Sequence, residues 1–146
     1  MRLDDEVELL VVNPGADASS ALIADRNNAS LAFRLSYRGI GFLFTADVEE
    51  EAEREMLSRG HRLESDVLKV GHHGSRTSTT KSFLAAVSPT AAVISAGQDN
   101  RYGHPHAEVL QRLEQGLGKG SIYQTARHGT IHFVTDGAGL WVETER

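Results

Sequence analysis

Cysteine is absent from the 146 residues, and that absence removes several kinds of chemistry at once. No disulfide framework, thiolate metal site or cysteine nucleophile is available, so any metal must be held by His, Asp or Glu. No apolar run approaches the roughly 20 residues that span a bilayer. The start of the chain, Met1-Arg2-Leu3-Asp4-Asp5-Glu6, lacks the basic-then-apolar layout of a secretory signal. The segment therefore reads as soluble, with no membrane contact of its own. A dense basic stripe is also missing: 15 Lys and Arg stand against 20 Asp and Glu, a formal net charge of −5. Tight non-specific binding of DNA by this chain alone is not expected from that balance.

The 146 residues, 40% of them apolar, suit one globular domain over 1–146. The net charge hides an asymmetry. Residues 1–66 carry 7 basic and 14 acidic side chains, whereas residues 67–146 carry 8 and 6, together with six of the seven histidines. An anionic substrate would be met by the second part.

Apolar patterning gives a strand over 7–12 ending at Asn13-Pro14-Gly15, then an aperiodic loop over 16–30. Residues 31–37 alternate apolar and polar positions and, with 40–46, read as an antiparallel hairpin across Arg38-Gly39. A helix over 48–59 follows, with Val48, Ala52 and Met56 on one face and Glu50/Arg54 and Glu55/Arg59 paired at i,i+4, stopped by Gly60. Strands over 66–70 and 91–95 alternate with helices over 80–87 and from Pro105 to Gln115. Strands over 121–124, 130–135 and 140–143 read as a closing meander, with Arg127-His128-Gly129 as a turn. Alternation of strand and helix from 40 to 115 implies a partly parallel sheet with antiparallel strands at both ends.

Asp47, His72-His73 and His104 each follow a strand and precede a helix or its approach. Such positions fall along one edge of an open α/β sheet, where ligands bind. Two imidazoles and a carboxylate also make up many hydrolytic metal sites. Each residue has a structural alternative. Asp47 with Glu50 three positions on matches a capping box, and His104 could cap the helix at Pro105. Adjacent His72 and His73 on extended backbone would face opposite ways, so only one could be a ligand. His106 should turn away along the helix, and His61, His128 and His132 read as surface or packing residues. The run Gly74-Ser75-Arg76-Thr77-Ser78-Thr79-Thr80 offers amides, hydroxyls and a guanidinium to phosphate, although Ser78 or Thr79 could simply start a helix. Arg101 and Tyr102 offer a cation and a stacking surface, or belong to a structural loop.

Three ordered motifs, Phe44-Thr45-Ala46-Asp47, Asp66-Val67-Leu68-Lys69-Val70-Gly71-His72-His73-Gly74-Ser75 and Asn100-Arg101-Tyr102-Gly103-His104-Pro105, resemble the metallo-β-lactamase-type domain of ComEC-type DNA internalisation (competence) proteins. Asn27-Asn28-Ala29-Ser30, residues 91–95 and Val109-Leu110-Gln111-Arg112-Leu113 fall in register with the same family. The resemblance implies an α/β fold, half of an αββα sandwich with a mixed β-sheet flanked by helices. It implies a metal-dependent phosphodiesterase or nuclease-like site in a parent protein of the bacterial cell membrane that moves single-stranded DNA.

By position, Asp47, His73 and His104 resemble metal ligands for zinc or manganese, His72 and His73 catalytic imidazoles, and Ser75, Arg76, Arg101 and Tyr102 substrate contacts. The superfamily's H-x-H-x-D-H run does not occur in these residues. The expectation is therefore a weak or absent metal, little turnover by this chain alone, and an apolar sheet face that pairs with an upstream half or a second copy. A non-catalytic scaffold or interaction module, and a small hydrolase completed by dimerisation, are the alternatives.

Overall fold

The computed structural model describes residues 6–16, 18 and 24–146. Strand β1 (Val7–Asn13) is followed by the hairpin β2 (Ala32–Tyr37) and β3 (Ile40–Phe44) and by helix α1 (Glu50–Ser58). Then come β4 (Val67–Lys69), a 3-10 turn (Gly71–Gly74), α2 (Lys81–Val87), β5 (Ala91–Ile94) and α3 (Ala107–Leu117). A second 3-10 turn (Lys119–Ser121), β6 (Ile122–Gln124), the short α4 (Thr125–His128), β7 (Ile131–Thr135) and β8 (Leu140–Thr144) complete the order. The first six strands form one mixed sheet in chain order, antiparallel from β1 to β3 and parallel from β3 to β6. Helices fill the crossovers between the parallel strands, as the alternation of patterns requires.

One face of the sheet carries the core. Leu43, Leu68, Ala92 and Ile94 are buried against Val48, Ala52 and Met56 of the α1 region, Phe83, Leu84 and Val87 of α2, and Val109 and Leu113 of α3. The 3.6-residue spacing of Val48, Ala52 and Met56 that signals the helix is also what buries all three completely. Helix α1 runs from Glu50 rather than Val48, because Asn28 Oδ1 accepts from the amides of Glu49 and Ala52 and sets the entry to the helix.

The opposite face is only partly covered. The β7–β8 hairpin lies over it, with Phe133 edge-on to Phe42 and Tyr123, and a cavity of about 290 Å³ remains among Phe42, Phe44, Val67, Lys69, Val93, Ile131 and Phe133. Phe33 and Phe44 stack on the same face at 4.9 Å.

Strand β2 alternates as its sequence requires, but its polar side chains are the buried ones. Arg34 and Ser36 are buried while Phe33, Leu35 and Tyr37 lie on the half-covered face. Arg34 Nε donates to the Glu64 carbonyl at 2.8 Å, and its guanidinium covers Gly41, where a Cβ would lie 2.5 Å from Arg34 Nη2. Burial is the main reason that the Arg34 pKa is lowered.

Two other expectations change. Strand β6 is not part of a terminal meander: it pairs in parallel with β5 and extends the main sheet, leaving β7–β8 as a separate hairpin. The Arg127-His128 segment is a helical turn, in which His128 Nδ1 lies 2.9 Å from the Gln124 amide and so has a structural partner.

Candidate functional site

The parallel strands β3, β4 and β5 end side by side, and the segments leaving them bring four expected residues together. Asp47 follows β3, His72 and His73 follow β4, and His104 lies in the loop after β5. Neither cap alternative is realised. Glu49 is the N-terminal cap position of α1 and His106 that of α3, so Asp47 and His104 lie outside both caps. The cap of α2 is Thr80, whose hydroxyl accepts from the Phe83 amide, rather than Ser78 or Thr79. Ser78 instead donates its hydroxyl to the Gly71 and Ser75 carbonyls and ties the loop to itself.

The expectation that only one of His72 and His73 could face the site fails for a local reason. Both are left-handed, at φ 45° and 54°, so the chain turns where extended backbone would have alternated the side chains. Ala46, at φ 45°, makes the matching turn beside them, where its carbonyl accepts the His72 amide at 2.9 Å. Gly74, at φ 83°, closes the loop against Pro105. The rings of His72 and His73 lie 5.6 and 6.4 Å from that of His104, centroid to centroid.

His106 joins this group. Because it precedes α3 instead of lying within it, its backbone is extended, its ring sits 4.8 Å from His104, and its Nδ1 accepts the Arg76 amide at 3.1 Å.

Each imidazole is held differently. His73 Nδ1 lies 2.6 Å from the Ser95 carbonyl, which can only accept, so this nitrogen carries a proton and, in the neutral ring, Nε2 keeps the lone pair. That lone pair is 3.5 Å from Asp47 Oδ1. Two acceptors at this distance repel unless a cation lies between them, either a proton on Nε2 or a metal ion. His72 Nδ1 lies 2.9 Å from Glu49 Oε1.

The His104 pKa is lowered, first by burial and then by the charges that neighbouring His106, His72 and His73 would carry; Asp47 acts in the opposite sense. The pKa of Lys69, the last residue of β4, is lowered by burial, again opposed by Asp47, and its Nζ donates to the Val70 carbonyl at 3.0 Å. Lowering of this kind favours the neutral form of His104, the form that coordinates a metal. The fit of a metal to these residues is nevertheless limited to two facing donors. Among the described residues no group of three or more His, Asp or Glu converges as a metal-binding set, and His104 stands off from the Asp47–His73 pair.

Beside the imidazoles opens a cleft of about 540 Å³ lined by His73, Ser95, Ala96, Gly97, Asn100, Tyr102, His104 and Thr125. Tyr102 stands at its rim, 61% exposed, stacked on His104 at 5.7 Å and under the Arg101 guanidinium, which also donates to its hydroxyl at 2.6 Å. Arg76 is exposed on the loop pinned to His106. Ser75 differs from expectation: it is buried and its hydroxyl is 2.9 Å from that of Thr77, so it organises the loop from within.

Glu49, Ser95 and Asn100 have roles at the site that the sequence reading did not give them. Asn100 Oδ1 accepts the His104 amide at 2.9 Å while its Nδ2 donates to the His104 and Gly97 carbonyls, fixing the loop that carries His104. An asparagine four residues before a candidate ligand was the available signal. Ser95 acts through its carbonyl, for which no side-chain signal exists.

Residues 2–98 match the family model of the metallo-beta-lactamase superfamily. Over 75% of its length the chain is 41% identical to ComE operon protein 3 of Bacillus subtilis, of which the match covers 14%. It is 36% identical over 67% of its length to competence protein ComA of Neisseria gonorrhoeae, covering 17% of that protein. It is also 39% identical over 61% of its length to recombination protein 2 of Haemophilus influenzae, covering 11%. The chain thus spans less than a fifth of the length of these relatives. The mixed six-stranded sheet with helices packed on it agrees with the family-model match. The ordered motifs, the sheet and the match over two thirds of the residues lead to one statement: this chain belongs to the metallo-β-lactamase superfamily and, within it, is similar to the competence proteins of ComEC type.

Proposed function

We propose that the chain forms part of a metal-dependent hydrolase domain, phosphodiesterase or nuclease-like, in a bacterial DNA uptake protein of the cell membrane. The observation that carries this reading is the Asp47–His73 pair. A carboxylate oxygen faces, at 3.5 Å, an imidazole nitrogen whose proton is held on the other side of the ring by a backbone carbonyl. This is the arrangement that prepares a histidine to bind a cation. Asp47 and His73 would hold zinc or manganese, with His104 approaching as a further ligand. A divalent ion bound there would supply Lewis-acid stabilisation of a phosphoryl oxygen and an activated water.

The chain's own residues bind and orient. Arg101, beside Tyr102 at the cleft rim, and Arg76, exposed on the loop bonded to His106, would contact a phosphodiester, and Tyr102 would stack on a base of single-stranded DNA once Arg101 turns from its ring to the phosphate. His72 and His106 lie ring to ring with His104 and would provide nitrogen atoms for hydrogen bonds to the substrate or to water. The half-covered sheet face around Phe42 and Phe44 supports packing against further sheet, from an upstream half of the domain or a second copy.

A second reading, a scaffold or interaction module with a remnant polar edge, is favoured by one observation: no three-donor group is assembled among the described residues. Calorimetric titration of the metal-stripped chain with zinc and with manganese separates the two. The hydrolase reading expects saturable binding that is weakened at least about tenfold in Asp47→Ala and in His73→Ala. Absence of binding, or binding that both variants leave unchanged, would sink it in favour of the scaffold.

A further inference from the structure

The Glu49 carboxylate has one of the most crowded oxygens among the described residues. Oε1 receives His72 Nδ1 at 2.9 Å, the Thr77 hydroxyl at 3.0 Å and the Asn27 side-chain amide at 3.3 Å. Three donors from two separate segments, the histidine loop and the Asn27 turn, converge on one atom. Glu49 occupies the N-terminal cap position of α1, where a Ser, Thr, Asp or Asn side chain would ordinarily accept the helix's own amides. It makes no such bond. Asn28 Oδ1 accepts from the Glu49 and Ala52 amides instead, and the Thr77 carbonyl accepts from the Glu50 amide at 2.8 Å. With the helix end satisfied by others, the carboxylate is turned toward the histidine loop.

We propose that Glu49 is the positioning residue of His72: its carboxylate locks the imidazole as the Nδ1–H tautomer, leaving Nε2 as the nitrogen with a lone pair on a ring 5.6 Å from His104. This inference rests on the proposed hydrolase reading for its purpose, because an oriented accepting nitrogen at the rim is what proton transfer during phosphodiester cleavage requires. The geometry itself stands apart from that reading. A carboxylate can only accept, so the contacting nitrogen of His72 must be the donor. Left-handed backbone at His72 points the ring at Glu49, and the Thr77 hydroxyl and Asn27 amide hold the carboxylate from two other sides, so neither partner is free to rotate away. The arrangement parallels that of His73, whose Nδ1 is held by the Ser95 carbonyl. Both adjacent histidines are thereby fixed with Nε2 as acceptor, one by a backbone oxygen and one by an acid.

The test reads the tautomer directly, without requiring turnover. Nitrogen-15 labelled histidine in the full chain, observed by long-range proton–nitrogen correlation at about pH 8, where imidazoles are mostly neutral, reports which ring nitrogen of His72 carries the proton. The wild-type protein is expected to show His72 as Nδ1–H. In Glu49→Ala the ratio of the two tautomers is expected to move about tenfold toward Nε2–H, the scale of a lost charge-assisted hydrogen bond. In Glu49→Gln, whose amide oxygen still accepts, most of the wild-type ratio is expected to return. His73, held by Ser95, serves as the internal control and should keep its tautomer in both variants. A wild-type His72 in the Nε2–H form, or a ratio unchanged in Glu49→Ala, overturns the proposal. So does a loss in Glu49→Ala that His73 shares equally, which would make Glu49 a general support of the loop. Absence of saturable metal binding by the wild-type protein would instead overturn the hydrolase reading, leaving the tautomer result to decide Glu49 independently.

Discussion

Glu53 of α1 accepts the backbone amide of Thr80 at 2.8 Å through one carboxylate oxygen, and through the other it accepts that of Thr79. The acid is 1% exposed and joins α1 to the loop that enters α2, the loop that begins at the His72-His73 turn. Arg112 of α3 donates to the Ser78 and Thr79 carbonyls from the other side of the same loop, at 3.0 and 2.6 Å. A buried acid and a cation on a neighbouring helix thus hold one loop by its backbone, and that loop carries Arg76 and Thr77 to the site.

The Glu53 pKa is raised, chiefly by burial, while the amide bonds and Arg112 act to lower it. The folded protein therefore binds this proton more tightly than the unfolded chain. Stability from this group is expected to be greatest at and below the ordinary carboxylate value and to fall as pH rises through the raised folded value. Glu53→Met, of similar length but without acceptors, leaves two backbone N–H groups unpaired, at about 1–3 kcal/mol for a fully buried one. Urea denaturation of both proteins across pH 4 to 8 checks this. The variant is expected to lose about 2 kcal/mol near the ordinary carboxylate value, with the gap narrowing as pH rises and the wild-type acid is forced to ionise. A gap that widens with pH would refute the assignment.

Gly74 links the two histidine loops. It sits at φ 83°, and a Cβ there would lie 2.6 Å from Pro105 Cβ and 3.1 Å from its Cα, one residue from His104. Gly74→Ala is expected to cost about 1–3 kcal/mol, from strain at positive φ together with displacement of a rigid ring. Because the Gly74 carbonyl also accepts the His106 amide at 3.0 Å, the shift should reach both His104 and His106. Thermal unfolding measures the first effect and histidine ring resonances the second. An alanine that leaves both unchanged would mean that the loops are not mechanically coupled. By comparison, Gly103→Ala meets nothing within 4 Å, so strain at φ 68° is its only cost.

Local periodicity made the helices legible, because burial of Val48, Ala52 and Met56 depends on spacing within one element. The site edge was legible for a topological reason: residues that follow parallel strands must emerge together, and Asp47, His73 and His104 do. What could not be read depends on backbone conformation or on pairing between distant segments. Nothing in Gly-His-His-Gly announces two consecutive left-handed histidines, and the rule of alternating faces fails once they turn. Alternation in β2 located a strand but not its inner face, where Gly41, paired with Ser36 on the neighbouring strand, leaves room for the Arg34 guanidinium. Strand β6 joins the sheet through β5, a contact set by the crossover of α3 rather than by the turns around it. Glu49 was hidden because an acid at a helix start is an ordinary cap, and only the presence of Asn28 in that role releases it.

Tyr102 and Arg101 offer the clearest separation of stacking from charge at the site. Tyr102 is stacked on His104 and largely exposed, and Arg101 lies over the same ring, its guanidinium carbon 4.8 Å from the centroid. With a net charge of −5 the chain has no general attraction for nucleic acid, so binding of a short single-stranded oligonucleotide should be weak and confined to this rim. Tyr102→Ala is expected to weaken it by about 1–3 kcal/mol through loss of base stacking, with little change in its salt dependence. Arg101→Ala should reduce the slope of log affinity against log salt by about 0.7, the release expected from one phosphate contact on a single strand. Fluorescence anisotropy over a salt series measures both. If Tyr102→Ala alters the slope while Arg101→Ala leaves it unchanged, the aromatic is only supporting the cation and the stacking assignment falls; if neither variant has any effect, single-stranded DNA does not bind at this rim.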